Sequence, residues 1–198
     1  MLEGGEGCGK DTQAKLLKEY FESKGLKCNL TREPGGTPFA EKIGERLKDK
    51  TRPLGVETEL TLFQLAREDN YEKVVIPFKE AGEGVLIKTR GWPSTFAYQG
   101  FGGKMDVKYI EDLNMESTKE HFPDLLLIID IPSKKGLERE VLPDRFAEKG
   151  LDYHERVREG YLWVAKKYSD ISVVVPYTEG IEKMQNTIRG IIHKRLSL

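Results

Sequence analysis

The chain has 198 residues, enough for one sizeable hydrophobic core and marginal for two. Charged residues make up 33% of it yet almost cancel, leaving a formal net charge of -1, which excludes a global field directed at nucleic acid or an anionic membrane surface. Two cysteines, Cys8 and Cys28, cannot build a disulfide framework and fit no zinc-ligand spacing, so a reducing cytoplasm is the expected compartment.

Helix-like and strand-like stretches alternate with no repeat or low-complexity linker, which predicts a single domain over 1–198 of α/β class, a parallel sheet wrapped by helices. The segment EGGEGCGKDTQ, Glu3 to Gln13, reads as a glycine loop running into a helix. Leu16, Leu17, Tyr20 and Phe21 fall at helical spacing and Gly25 ends the run, so the helix spans Lys10 to Lys24. Lys27 to Thr31 reads as a strand, REPGG as a turn, and Phe39 to Leu47 as a helix. Glu57 to Glu80 carries an apolar stripe and reads as one long or kinked helix. Gly84 to Lys88 is a buried strand. Asp124 to Ile131, bounded by Pro123 and Pro132, has the strongest strand pattern. Its core, Leu125 to Ile129, is the longest apolar run and is far too short to span a bilayer. The charged segment 138–151, with Pro143 and Gly150, reads as a lid. Helix Asp152 to Lys167, strand Ile171 to Val175 and helix Ile181 to Lys194 close the chain.

Gly4, Gly9 and Lys10 have the spacing of a phosphate-binding loop. Glycines let successive backbone N–H groups converge on an anion, the lysine reaches the terminal phosphates, and the following helix adds the positive end of its dipole. The alternative is a glycine-rich turn at a frayed terminus. Only Met1 and Leu2 precede the loop, where the central strand belongs. Either the chain begins downstream of its natural start, which is the expectation, or the strand is a stub and its neighbours lose partners at about 1–3 kcal/mol each.

Three motifs in order, the loop, TREPGGT (Thr31 to Thr37) and STFAYQG (Ser94 to Gly100), resemble those of thymidylate kinases. PDLLLIIDIP, DRF and LDYHERVREGY extend the resemblance through the lid to the helix after it. The resemblance implies a phosphate-loop kinase with a five-stranded parallel sheet, its first strand truncated, that transfers the γ-phosphoryl group of ATP to dTMP with Mg²⁺ as cofactor. Nucleotide biosynthesis leading to dTTP is the implied context, and a homodimer contacting through Glu57 to Glu80 the implied assembly.

Site residues carry over by position. Gly5, Glu6, Gly7, Cys8, Gly9, Lys10, Asp11 and Thr12 would hold ATP, and Arg90 would bridge donor and acceptor phosphates. Arg32 would bind the monophosphate, with Glu33 ordering its turn. Phe63 would stack on thymine, or is plain core; Arg67, four residues on, would reach the carbonyl edge. Thr95 and Gln99 would hydrogen-bond the base, Ser94 would line the same nucleoside site, and Tyr98 would fill the space of a ribose 2′-hydroxyl. Glu6 would face the acceptor's sugar or phosphate, or only solvate the loop. With no basic residue at the loop's variable positions, Arg139 or Arg145 of the lid would supply positive charge on closure. His154 would contact nucleotide or sit on a helix surface.

Two positions depart from the family pattern. Asp11 stands where a loop hydroxyl is usual, and Thr89 precedes Arg90 where an aspartate is usual. Both positions steady Mg²⁺ in phosphate-loop enzymes, so carboxylate and hydroxyl have changed places. Direct ligation by Asp11 with Thr89 in the outer position is one consequence; weakened metal binding is the other. The competing functional readings are a kinase for another pyrimidine deoxynucleotide, since GWPSTFAYQG departs from the family before Ser94, and a nucleotide-binding homologue of impaired catalysis.

Overall fold

The computed structural model describes residues 1–82, 84–140 and 144–196. Five strands form one parallel sheet: β1 (Leu2–Gly4), β2 (Cys28–Arg32), β3 (Val85–Thr89), β4 (Leu126–Asp130) and β5 (Ser172–Pro176), in the order β2-β3-β1-β4-β5. Helices cover both faces: α1 (Lys10–Ser23), α2 (Pro38–Lys48), α3 (Val56–Asn70), α4 (Ile76–Ala81), α5 (Trp92–Thr95), α6 (Val107–Thr118), α7 (Ser133–Glu138), α8 (Leu151–Lys167) and α9 (Ile181–Leu196).

The expected parallel α/β sheet is thus present, with strand ends within a residue or two of those read from the sequence. The predicted helix over 57–80 is interrupted: a π-helical turn, Tyr71–Val75, joins α3 to α4. A second π-helical stretch, Phe96–Gly102, continues α5. Neither that stretch nor α6 was expected. α6 has an ordinary start, the Asp106 side chain accepting from the Tyr109 N–H at 2.7 Å. α2 begins likewise, with Pro38 in its first turn and the Thr37 hydroxyl accepting from the Ala40 N–H at 3.1 Å. In the lid segment, residues 141–143 lie outside the described residues, and the rest is a short 3₁₀ turn, Ala147–Lys149, before α8.

β4 shows why its sequence is apolar throughout. Leu126 and Ile128 enter the core that holds Trp92, Phe96 and Tyr161, while Leu127 and Ile129 enter the opposite core with Leu17, Phe21 and Ile188. A strand covered on both faces has no polar side. Cys8 and Cys28 are buried and unbridged. Among the described residues no helix is long and apolar enough to cross a membrane.

β1 is three residues long and central. Leu2, Glu3 and Gly4 pair with Leu127, Ile128 and Ile129 of β4, whereas only Leu2 is in register with β3, at Thr89. Met1 adds two bonds, its N–H donating to the Leu125 carbonyl at 2.7 Å and its own carbonyl accepting from the Leu127 N–H at 2.9 Å. Beneath β1, between Val85–Lys88 on one side and Phe122–Leu125 on the other, lies an apolar cavity of about 340 Å³.

Candidate active site

The loop after β1, the turn after β2 and the start of α5 after β3 meet at the carboxyl edge of the sheet, where open α/β sheets bind ligands. Gly4, Gly7 and Gly9 all have positive φ, and Gly9 starts α1 in the left-handed conformation. At Gly7 the reason is packing as well as dihedral: a Cβ there would lie 2.0 Å from the Gly136 carbonyl oxygen of α7. Lys10 is buried, its Nζ folded back 3.4 Å from the Gly5 carbonyl oxygen and 3.8 Å from Cys8 Sγ.

Arg90 follows β3 with φ +59, a conformation that costs a non-glycine residue about 1–2 kcal/mol. This kink carries its side chain to the loop. Nη2 donates to both carboxylate oxygens of Glu6, at 3.1 and 3.0 Å, and Nη1 donates to the Tyr98 hydroxyl at 3.2 Å. The Tyr98 hydroxyl donates in turn to Glu6 Oε1 at 2.6 Å. Burial pushes the Glu6 carboxyl up, but Arg90, Lys10 and Tyr98 outweigh it and hold the group at about 2. Burial pushes Tyr98 the other way from ionisation, raising it and keeping the proton it donates. Beneath the loop, Glu3 accepts from Ser94 Oγ at 2.8 Å and the Tyr161 hydroxyl at 3.1 Å; burial raises its carboxyl.

A cavity of about 120 Å³ opens beside Arg90. Its wall takes in most of the predicted set: Glu6, Asp11 and Thr89; Arg32 and Arg90; Phe63 and Arg67; Ser94, Thr95, Tyr98 and Gln99. Phe63 is therefore at a cavity wall, its ring 5.9 Å from that of Phe146. Arg67 is buried, with Nε 2.9 Å from Glu33 and Nη1 donating to Gln64 and Asn114, both at 2.7 Å. Its Nη2 donates to none of the described residues. Glu33 also pairs with Lys88 at 2.9 Å, so two cations hold the turn after β2. Arg32 lies at the rim, paired with Glu41 at 2.6 Å.

The two lid arginines are elsewhere. Arg145 pairs with buried Glu59 at 2.8 Å, and its guanidinium lies 4.5 Å from the Phe146 ring centre. Glu59 also holds Lys149 at 3.0 Å and accepts from Gln99 at 3.1 Å. Arg139 is hydrogen-bonded to the Tyr177 hydroxyl and lies over that ring, outside the cavity. His154 is buried behind Gly5 and Glu6 rather than on a surface, its Nε2 3.0 Å from the Phe146 carbonyl oxygen. Sequence reasoning missed Phe146, Glu59 and Asn114; DRF was noticed only as a motif.

For a metal, no group of three or more His, Cys, Asp or Glu is gathered among the described residues. Mg²⁺ at a nucleotide asks for less, one or two protein oxygens with phosphates and water completing the set. Asp11, exposed in the first turn of α1, and Thr89, at the end of β3, line the same cavity and meet that requirement.

The family model for thymidylate kinase matches residues 2–188. The chain belongs to the thymidylate kinase family. It is 40% identical over 205 residues to the thymidylate kinase of Citrifermentans bemidjiense, covering 98% of this chain and 91% of that one. With the thymidylate kinase of Caulobacter vibrioides it shares 37% over 204 residues, 100% and 96% of the two chains. The crystal structure of the Ehrlichia chaffeensis thymidylate kinase superimposes with a TM-score of 0.79 at 28% identity, over 97% of this chain and 96% of the other. The likeness to that structure runs over nearly the whole chain, so the five-stranded parallel sheet described above is a thymidylate kinase fold.

Proposed function

We propose that this chain transfers the γ-phosphoryl group of ATP to dTMP, giving ADP and dTDP. The observation that carries the reading is the meeting of Arg90, the loop carboxylate Glu6 and the Phe63–Arg67 wall around one cavity, in a chain of this family.

The loop N–H groups of 5–12 and Lys10, which would extend from Gly5, hold the ATP phosphates. Phe63 stacks on the base, Arg67 Nη2 reaches its carbonyl edge, Thr95 and Gln99 border it, and the Tyr98 ring fills the space a 2′-hydroxyl would need. Arg32 and Ser94 lie toward the sugar and phosphate. A 5′-phosphate oxygen of dTMP forms a bond to the γ-phosphorus while the bond from that phosphorus to the β–γ bridging oxygen breaks. ADP leaves with the electron pair. Arg90, released from Glu6, bridges the two phosphates as charge moves between them, so catalysis is positioning and charge stabilisation with no nucleophilic side chain. Asp11 and Thr89 are the residues that would hold Mg²⁺, which when bound neutralises the β- and γ-phosphate oxygens.

Of the lid arginines, Arg139 is the one to move onto the transferring phosphate. Its exposed contact with Tyr177 costs little to break, whereas Arg145 would leave a buried carboxylate behind. We further infer a cytoplasmic homodimer through α3, on which Leu65 is exposed; sedimentation of wild type against Leu65→Glu tests the contact.

A coupled ADP-release assay offering dTMP, dUMP, UMP and dGMP side by side tests the assignment. It predicts Mg²⁺-dependent turnover with dTMP preferred. ADP release that is indifferent to dTMP overturns it.

A further inference from the structure

We propose that Asn114, which stands outside the cavity wall, is the positioning residue that makes this site select a keto pyrimidine, by tying Thr95 and Arg67 together in one fixed hydrogen-bond direction. The inference rests on the assignment of the cavity to dTMP.

Asn114 lies on α6 and is buried. Its Oδ1 accepts from Arg67 Nη1 at 2.7 Å, Thr95 Oγ1 at 2.9 Å and Gln64 Nε2 at 3.0 Å, and its Nδ2 donates to the Trp92 carbonyl at 3.2 Å. A guanidinium can only donate and a backbone carbonyl can only accept, so the amide has a single consistent orientation. Two other helices meet α6 at this one oxygen: Arg67 and Gln64 come from α3 and Thr95 from α5.

The consequence for Thr95 is a matter of counting protons. Its hydroxyl carries one, and its two near partners, Asn114 Oδ1 at 2.9 Å and the Trp92 carbonyl at 2.8 Å, both accept only. That proton is committed to the protein, so Thr95 turns only lone pairs to the cavity. Arg67 has the opposite character: with Nε on Glu33 and Nη1 on Asn114 and Gln64, Nη2 is left as a donor. The wall therefore offers an acceptor beside a donor. Thymine and uracil present the complementary pair, an N3–H donor beside the O4 acceptor. Cytosine presents an N3 lone pair beside an amino group and is mismatched twice. Leaving buried polar groups unpaired is how such sites reject a near-isostere.

Without Asn114, Arg67 loses the anchor that holds Nη1 and Thr95 keeps only the Trp92 carbonyl. The test compares steady-state turnover of dTMP and dCMP in the full chain carrying Asn114→Leu, Asn114→Ser or Asn114→Asp, with melting temperatures recorded in parallel. Asn114→Leu and Asn114→Ser should raise KM for dTMP about tenfold, leave kcat within about threefold, and reduce the dTMP-over-dCMP preference about tenfold or more. Asn114→Asp keeps an acceptor for both donors but loses the bond to the Trp92 carbonyl, so it should recover most of the preference while melting below the parent. Equal losses of kcat and kcat/KM, or an unchanged preference in the folded Ser variant, overturn the proposal. Phe63→Ala separates the two levels: if it leaves KM for dTMP unchanged, the site assignment itself fails. If it raises KM while the Asn114 variants keep full preference, only the role of Asn114 fails.

Discussion

Arg90 Nη2 sits 3.1 and 3.0 Å from the two carboxylate oxygens of Glu6, so the glycine loop itself supplies the anion that faces this guanidinium. The pair also stabilises the fold. Glu6 is held at about 2 against an ordinary 4.5, a difference worth roughly 3 kcal/mol as an upper figure. Because the folded value is the lower one, this contribution is complete above about pH 4.5 and is lost as pH falls through about 2. Urea unfolding of wild type and Glu6→Gln should therefore differ most at neutral pH and converge steadily on acidification below about pH 4.5.

Arg90→Ala should lower turnover on the order of 10²–10³-fold, since it removes charge stabilisation at the transferring phosphoryl group. Arg90→Lys should recover little of it, because an ammonium cannot span two phosphates as a planar guanidinium does. ADP release under saturating dTMP and ATP measures both.

Asp11→Ala should raise the Mg²⁺ concentration for half-maximal turnover several-fold, and Thr89→Val should do so less. Asp11→Ser and Thr89→Asp made singly should each be poorer than the parent, and combined should recover. A magnesium titration of the four variants reads this, and improvement from every single change would show that the exchange of ligands is not compensated.

Glu59 holds two cations and Gln99 in the protein interior, so Glu59→Ala should cost about 3–5 kcal/mol, read as a fall in the urea midpoint. Arg145→Met should lower stability while leaving turnover within about threefold. Arg139→Ala should do the reverse, with stability within about 0.5 kcal/mol and turnover down about tenfold or more.

The parts of this protein that were readable in advance are those fixed by neighbours in sequence. The glycine loop, the stripe of α1 and the two-sided apolar run of β4 each carry their cause within a few residues. α6 also carries a local signal, Asp106 as a cap with Val107, Ile110 and Leu113 at helical spacing. The π-helical turns at Tyr71 and Phe96 have no comparable local pattern; the second packs against α8, where a Cβ at Gly160 would lie 2.7 Å from Ala97 and 3.1 Å from Phe101. The same holds within the site. Thr95 stands in a motif, and Phe63 and Arg67 stand four residues apart on one helical face, but the pairing of Arg145 with Glu59 joins residues far apart in the chain. Asn114, by itself, is only an indifferent helix former. Its importance comes from what two other helices, α3 and α5, bring to it.

The pairing of β1 with β3 has a mechanical outcome. β2 and β3 form one leaf, β4 and β5 another, and the spine between them meets the first leaf at a single register pair, Leu2 with Thr89. Such a sheet is stitched loosely on one side, and amide protons of β3 should exchange through openings well below the global unfolding free energy, while those of β4 should not. Nucleotides gripped by the loop on the spine and by Arg32 and Arg90 on the first leaf would act as a clasp, so substrate binding should slow exchange in β3 far from any atom the ligand touches.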